Sequence, residues 1–184
     1  SLSNFKKINY IKNINLNYQD ENNLKNNIQI TKKNNNYFID GISLNINRII
    51  DNLINSDDKK NINLFNNDFK ATIDIKEIYL DKKNILKNLN GFLIFKKGKV
   101  LETELSSYFL NNKNIKFTIK TNDDEKITTL FSNEAKPLVD RYKFIKGFEE
   151  GSLDFYSNKN KNKINLNLKI YDFKLKELPA LTKL

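Results

Sequence analysis

The carboxylate runs that could do acid–base work include Asp57-Asp58, Asp123-Asp124-Glu125 and Glu149-Glu150. Neighbouring carboxylates can act as an acid and a base when their surroundings separate their pKa values, and clustered ones can hold a hard cation. Each run sits beside Lys or Gly, in the setting of a solvated turn, and none has the 1-3-5-12 spacing of a calcium loop. His and Cys are both absent. That removes the commonest general base, the Ser/His/Asp and Cys/His arrangements, and the imidazole and thiolate metal ligands. The five glycines do not form G-x-G-x-x-G or G-x-x-x-x-G-K-[ST], so no phosphate-cradling loop is present. The expectation is a protein that is not an enzyme and uses no cofactor or metal.

The formal net charge is +10, which attracts anions in general. Only Arg48 and Arg141 among the 32 basic residues are Arg, whereas bidentate base and phosphate contacts favour Arg. The lysines are spread along alternating segments and turns. Their abundance, with that of Asn (about one residue in six) and Ile, matches the codon usage of an A/T-rich genome. Lys143-Phe144-Ile145-Lys146-Gly147-Phe148 is the best candidate for a base-stacking platform, but it lacks the Gly of the RNP1 pattern and reads as a helix end packed on a sheet. Nucleic acid is therefore not the expected partner.

The elements that would carry any surface are mostly strands. Ile, Phe, Tyr and Thr favour them, and period-two alternation recurs throughout. Ile14, Leu16 and Tyr18 form one row, and Ile42, Leu44 and Ile46 another. Phe69, Ala71, Ile73 and Ile75 share a face, as do Leu89, Gly91, Leu93 and Phe95, then Ile115, Phe117 and Ile119. Leu153 and Phe155 open a further strand, and Ile164, Leu166, Leu168 and Ile170 form the longest row. Asn34-Asn35-Asn36, Lys96 to Lys99, Asn111 to Asn114, Asn122-Asp123-Asp124 and Asn158 to Asn162 read as turns. After Ile170 the apolar positions switch to odd numbers, Tyr171, Phe173 and Leu175, which predicts a bulge or a change of buried face. Two short helices are expected. One runs from Arg48 to Ile54. The other lies within Ser132 to Phe144, with Ser132 or Asn133 as cap, Glu134 in the first turn and Pro137 limiting its length. The fold expected is mainly β: an antiparallel meander forming a twisted, curved open sheet or trough, with one or two short helices.

At 184 residues the chain is long enough for one domain. No linker divides it, no signal peptide is visible at Ser1, and no apolar run is long enough to span a bilayer. The strand that opens at Ile164 is expected to stop at Pro179, where the chain turns into the start of an apolar helix with Leu181 and Leu184. The expectation is one β-rich segment, residues 1–184, of a longer protein.

Residues 89–184 resemble the AsmA-like superfamily, in particular the C-terminal region of its large YhdP-type members. Phe92 to Lys99 resembles the family's hairpin, and Thr128 to Ala135 resembles the strand leading to a small helix. Tyr142 to Phe155 resembles the next strand entry, with Gly147 and Gly151 set further apart than in the family. Ile164 to Leu184 resembles the most specific element, with Asp172, Phe173, Pro179, Leu181 and Leu184 in place. Residues 1–88 match only in being strand-rich.

The resemblance implies a long twisted sheet folded into an open trough. It implies anchoring in the inner membrane of a Gram-negative bacterium through a segment outside this chain, and extension into the periplasm. It also implies participation in phospholipid transport between inner and outer membranes and in outer-membrane homeostasis. The partners would be phospholipid acyl chains, held in an apolar β-groove lined by Leu93, Phe95, Ile115, Phe117, Ile119, Leu166, Leu168 and Ile170. The competing reading is a structural or assembly scaffold of the envelope that binds another protein through its strand edges.

Overall fold

The computed structural model describes residues 12–47, 68–96, 99–142, 145–161 and 163–176. Its strands are β1 (Asn13–Gln19), β2 (Lys25–Lys33), β3 (Asn36–Asn45), β4 (Phe69–Tyr79), β5 (Ile85–Lys96), β6 (Lys99–Phe109), β7 (Asn114–Asn122), β8 (Glu125–Ser132), β9 (Phe148–Lys159) and β10 (Ile164–Leu175). They form one open ten-stranded sheet in sequence order, with β1 and β10 at its edges. The mainly β fold expected from alternation is therefore present. One pair departs from the antiparallel pattern: β3 and β4 run parallel. A parallel pair needs a crossover of a dozen or more residues, and residues 46–68 separate the two strands.

Asn and Asp make the tight turns. Asn34 follows β2 with φ 56°, Asp123 follows β7 with φ 49°, and Asn112 lies between β6 and β7 with φ 62°. Short Asx side chains tolerate this left-handed region, and positive φ at the loop suits the twist of a two-residue hairpin. The turn residues expected at 97 and 98 lie outside the described residues, but Lys96 pairs with Lys99 across that hairpin.

The described residues contain one helix, α1 (Lys136–Tyr142). The other predicted helix, Arg48 to Ile54, lies outside them. α1 starts later than its expected caps. Ser132 ends β8 instead, and its Oγ accepts from the Glu134 N–H and donates to the Glu134 carbonyl. Ala135 immediately precedes the helix, and its carbonyl accepts from the Leu138 and Val139 N–H groups. Glu134 thus precedes the first turn, which holds no acid. Pro137 fits there because its missing N–H has no intrahelical partner to lose.

Ala135, Leu138 and Val139 close a core formed with Ile75, Ile78, Leu80, Leu86, Phe109, Ile115, Phe148 and Leu153. The predicted parity switch is also present. Ile170 opposes Leu153 on the core face, and Leu175 opposes Phe148 on the same face. The odd spacing is absorbed in both strands at once, at Glu150 (φ 61°), Gly151 (φ 80°) and Asp172 (φ 52°). One predicted row is broken: Leu44 and Ile46 pack against the core, but Ile42 is 57% exposed and the buried residue beside it is Ser43. The register of β2 on β3 shifts between Asn27 and Ile28, beside this point, so strict alternation stops there.

Candidate functional site

Residues directly opposite one another on paired strands point to the same face of a sheet, so the registers trace rows across it. One row takes one residue from every strand. It begins Ile14, Ile30, Ile39, Ile73 and Gly91 on β1 to β5. It continues through Leu105, Phe117, Leu130, Phe155 and Leu168 on β6 to β10. Apart from Gly91, every member is apolar. At a strand spacing of about 4.8 Å, the row is about 43 Å long.

The eight residues expected to line a groove all fall on this face. Leu93 connects through Thr103, Ile119, Thr128 and Ser157 to Leu166. Ile115 connects through Ser132 and Leu153 to Ile170, and Phe95 follows Leu93 by two residues on β5. Their exposure differs. Ile115 and Ile119 are buried at 8% and 5%, while Leu168 is 42% and Leu166 68% exposed on edge strand β10. Ile170 is half-buried against the core.

Sequence reasoning missed part of the row. Leu105 carries no alternation signal, because its neighbours along the same face are the buried Thr103 and Ser107. Both hydroxyls serve the backbone: Thr103 Oγ1 donates to the Phe92 carbonyl at 2.6 Å and Ser107 Oγ to the Lys87 carbonyl at 2.7 Å. The register of β5 on β6 shifts beside Lys87, so a polar side chain on the apolar face satisfies a carbonyl next to a bulge.

The face is not uniform along the strands. α1 covers the end that holds Ile78, Leu86, Phe109 and Leu153. Arg141 fixes the helix there, donating to the Leu80 carbonyl at 2.7 Å and the Asn47 carbonyl at 3.2 Å. Beyond the central row the opposite end turns polar, with Thr128 beside Ser157 and Lys126 beside Lys159. On β3 to β5 that end is aromatic. Tyr37 meets Phe69 edge-on at 5.3 Å, Phe69 stacks on Phe95 at 5.1 Å, and the Lys32 ammonium lies 5.5 Å from the Tyr37 ring.

The other face of the sheet is polar by comparison. The row from Phe92 runs through Glu104, Thr118, Thr129 and Tyr156 to Asn167. Lys70 lies 5.2 Å above the Phe92 ring, the two Thr hydroxyls share a 2.7 Å hydrogen bond, and Lys116 pairs with Glu104 at 2.6 Å.

The carboxylate runs Asp123-Asp124-Glu125 and Glu149-Glu150, which fall among the described residues, lie apart from the apolar row. Asp124 pairs with Lys161 at 2.6 Å and Glu125 accepts from Asn158 at 2.7 Å. Glu149 accepts from Lys176 at 2.8 Å and Lys136 at 2.9 Å, and these two ammonium groups lower its pKa to about 2. Asp57-Asp58 lies outside the described residues. Among the described residues no three His, Cys, Asp or Glu side chains are placed to hold a metal ion. Phe148, part of the candidate stacking platform, is 1% exposed, with its ring 5.6 Å from Phe173. It therefore presents no face to a base. Among the described residues no helix is long and apolar enough to cross a membrane.

No family model matches the chain, and neither a curated protein nor a solved structure matches it.

Proposed function

We propose that this chain is a lipid-holding segment of an AsmA-like envelope protein. In this reading the protein is anchored in the inner membrane of a Gram-negative bacterium by sequence outside this chain, extends into the periplasm, and takes part in phospholipid transport between the two membranes. The observation that carries the reading is the apolar row that crosses all ten strands, from Ile14 to Leu168.

The physical case is differential solvation. An acyl chain laid on that face gains about 0.8 kcal/mol for each CH₂ removed from water. Its headgroup stays in water at the end lined by Thr128, Ser157, Lys126 and Lys159, where lysines favour an anionic group. α1 closes the opposite end, so an amphiphile has one orientation with its polar group wet. No bond is made or broken, which suits a chain without His or Cys.

Native mass spectrometry of the chain purified from a bacterial periplasm tests this. Adducts with phospholipid masses that survive mild activation support the reading. A clean apo mass from a cooperatively melting protein overturns it.

A further inference from the structure

The outer edge of β10 is the longer of the two open edges of the sheet, 12 residues against 7 in β1. Among the described residues no strand pairs with it. Exposed edges are normally blunted by Pro, by charges, by a bulge or by shortness. β10 is 12 residues long, and from Ile164 to Tyr171 it contains no Pro and one charge, Lys169. The bulge comes only afterwards, at Asp172 (φ 52°).

We propose that β10 pairs antiparallel with β10 of a second copy of this chain, about a two-fold axis through Asn167. This goes beyond the lipid reading and does not depend on it. The register follows from face and charge. Opposed residues must share a face, so even numbers pair with even and odd with odd. Centring on Asn167 sets Ile164 against Ile170 and Leu166 against Leu168 on the apolar face, and Asn165 against Lys169 on the polar one. Moving the centre to Leu166 opposes Lys163 to Lys169, and moving it to Lys169 opposes that residue to itself. Like charges directly opposed are destabilising. Centring on Leu168 avoids that clash but sets Ile164 against the bulged Asp172. The Asn167 register alone uses the whole stretch without a conflict.

The pairing also covers what β10 leaves in water. Leu166 and Leu168, 68% and 42% exposed, gain apolar neighbours across the axis. A two-fold axis normal to the sheet keeps each face on its own side, so the apolar rows of the two copies join. The contact is isologous and closes as a dimer.

The chain has no Cys, so single cysteines report the register cleanly. Opposed residues have Cα atoms about 4.5–5.5 Å apart, within reach of a disulfide. Asn167→Cys in the 184-residue chain, oxidised mildly, is expected to give a disulfide-linked species of doubled mass. Asn165→Cys, whose partner would be Lys169, is expected to stay unlinked. Sedimentation of the unmodified chain should show a concentration-dependent dimer, and Asn167→Lys, which opposes two ammonium groups at the axis, should return it to monomer. Mixing Asn167→Lys with Asn167→Asp should restore the dimer. A unmodified chain that is monomeric throughout, higher assemblies growing without closure, or cross-linking through residue 165 rather than 167 would overturn the proposal.

Discussion

Gly91 on β5 and Glu104 on β6 approach so closely that a Cβ on Gly91 would lie 1.9 Å from the Glu104 carbonyl oxygen. Gly91 also has φ 148°, where L side chains are rarely found. It is the one member of the ten-residue row without an apolar side chain. The gap in the row and the close passage of two strands thus have the same cause.

Gly91→Ala should therefore destabilise the sheet by at least about 2 kcal/mol, combining backbone strain with overpacking. Urea titration followed by far-UV circular dichroism measures this. An unchanged midpoint would mean that β5 and β6 can separate at Gly91 without loss.

Phe148 anchors the other end of the molecule. It is 1% exposed, belongs to the core beneath α1 and stacks on Phe173 across the bulged strands. Phe148→Ala should cost about 3–5 kcal/mol, the range for emptying a buried aromatic site. The same titration checks it, and a loss below about 1 kcal/mol would show that α1 and β9 collapse into the space.

Leu168 separates lipid holding from folding. Its side chain is 42% exposed on an edge strand, so Leu168→Asp should leave the urea midpoint nearly unchanged while removing co-purified lipid. Asn165→Asp lies on the polar face of the same strand and should retain lipid. Loss of adducts in both variants, or in neither, would separate the apolar face from lipid binding.

Glu149 makes part of the stability acid-sensitive. Hydrogen bonds from Lys176 and Lys136 hold its carboxyl at about 2, against an ordinary 4.5. A depressed carboxylate stabilises the fold fully above its unfolded value, and the contribution is lost as pH falls towards the folded one. Melting temperature should therefore decline between pH 4.5 and about 2, and Glu149→Gln should flatten that part of the profile. Equal slopes in the two proteins would show that other carboxylates govern the acid response.

Much of the fold was legible because a strand writes its face into the chain at period two. Phe69 to Ile75, Leu89 to Phe95, Ile115 to Ile119 and Ile164 to Ile170 each occupy one face as their alternation predicts. The change of parity after Ile170 likewise announced the bulge at Asp172. Ile42 was misread because it is itself the extra residue of β3 where the register against Asn27 and Ile28 of β2 shifts, which interrupts the period. Leu105 was missed because buried hydroxyls occupy the positions beside it.

By itself, the sequence determined that the chain is built of amphipathic strands with Asx turns, and that His and Cys chemistry is closed to it. These are local properties, set by side-chain type and by intervals of two or three residues. Only the tertiary structure decided that residues as distant as Ile14 and Leu168 share one row, that β3 and β4 run parallel, and that α1 covers one end of the apolar face. Alternation gives each strand two faces but carries no record of which face joins its neighbour's. That choice is made by backbone pairing between strands, where one residue of slip would turn every side chain to the other side.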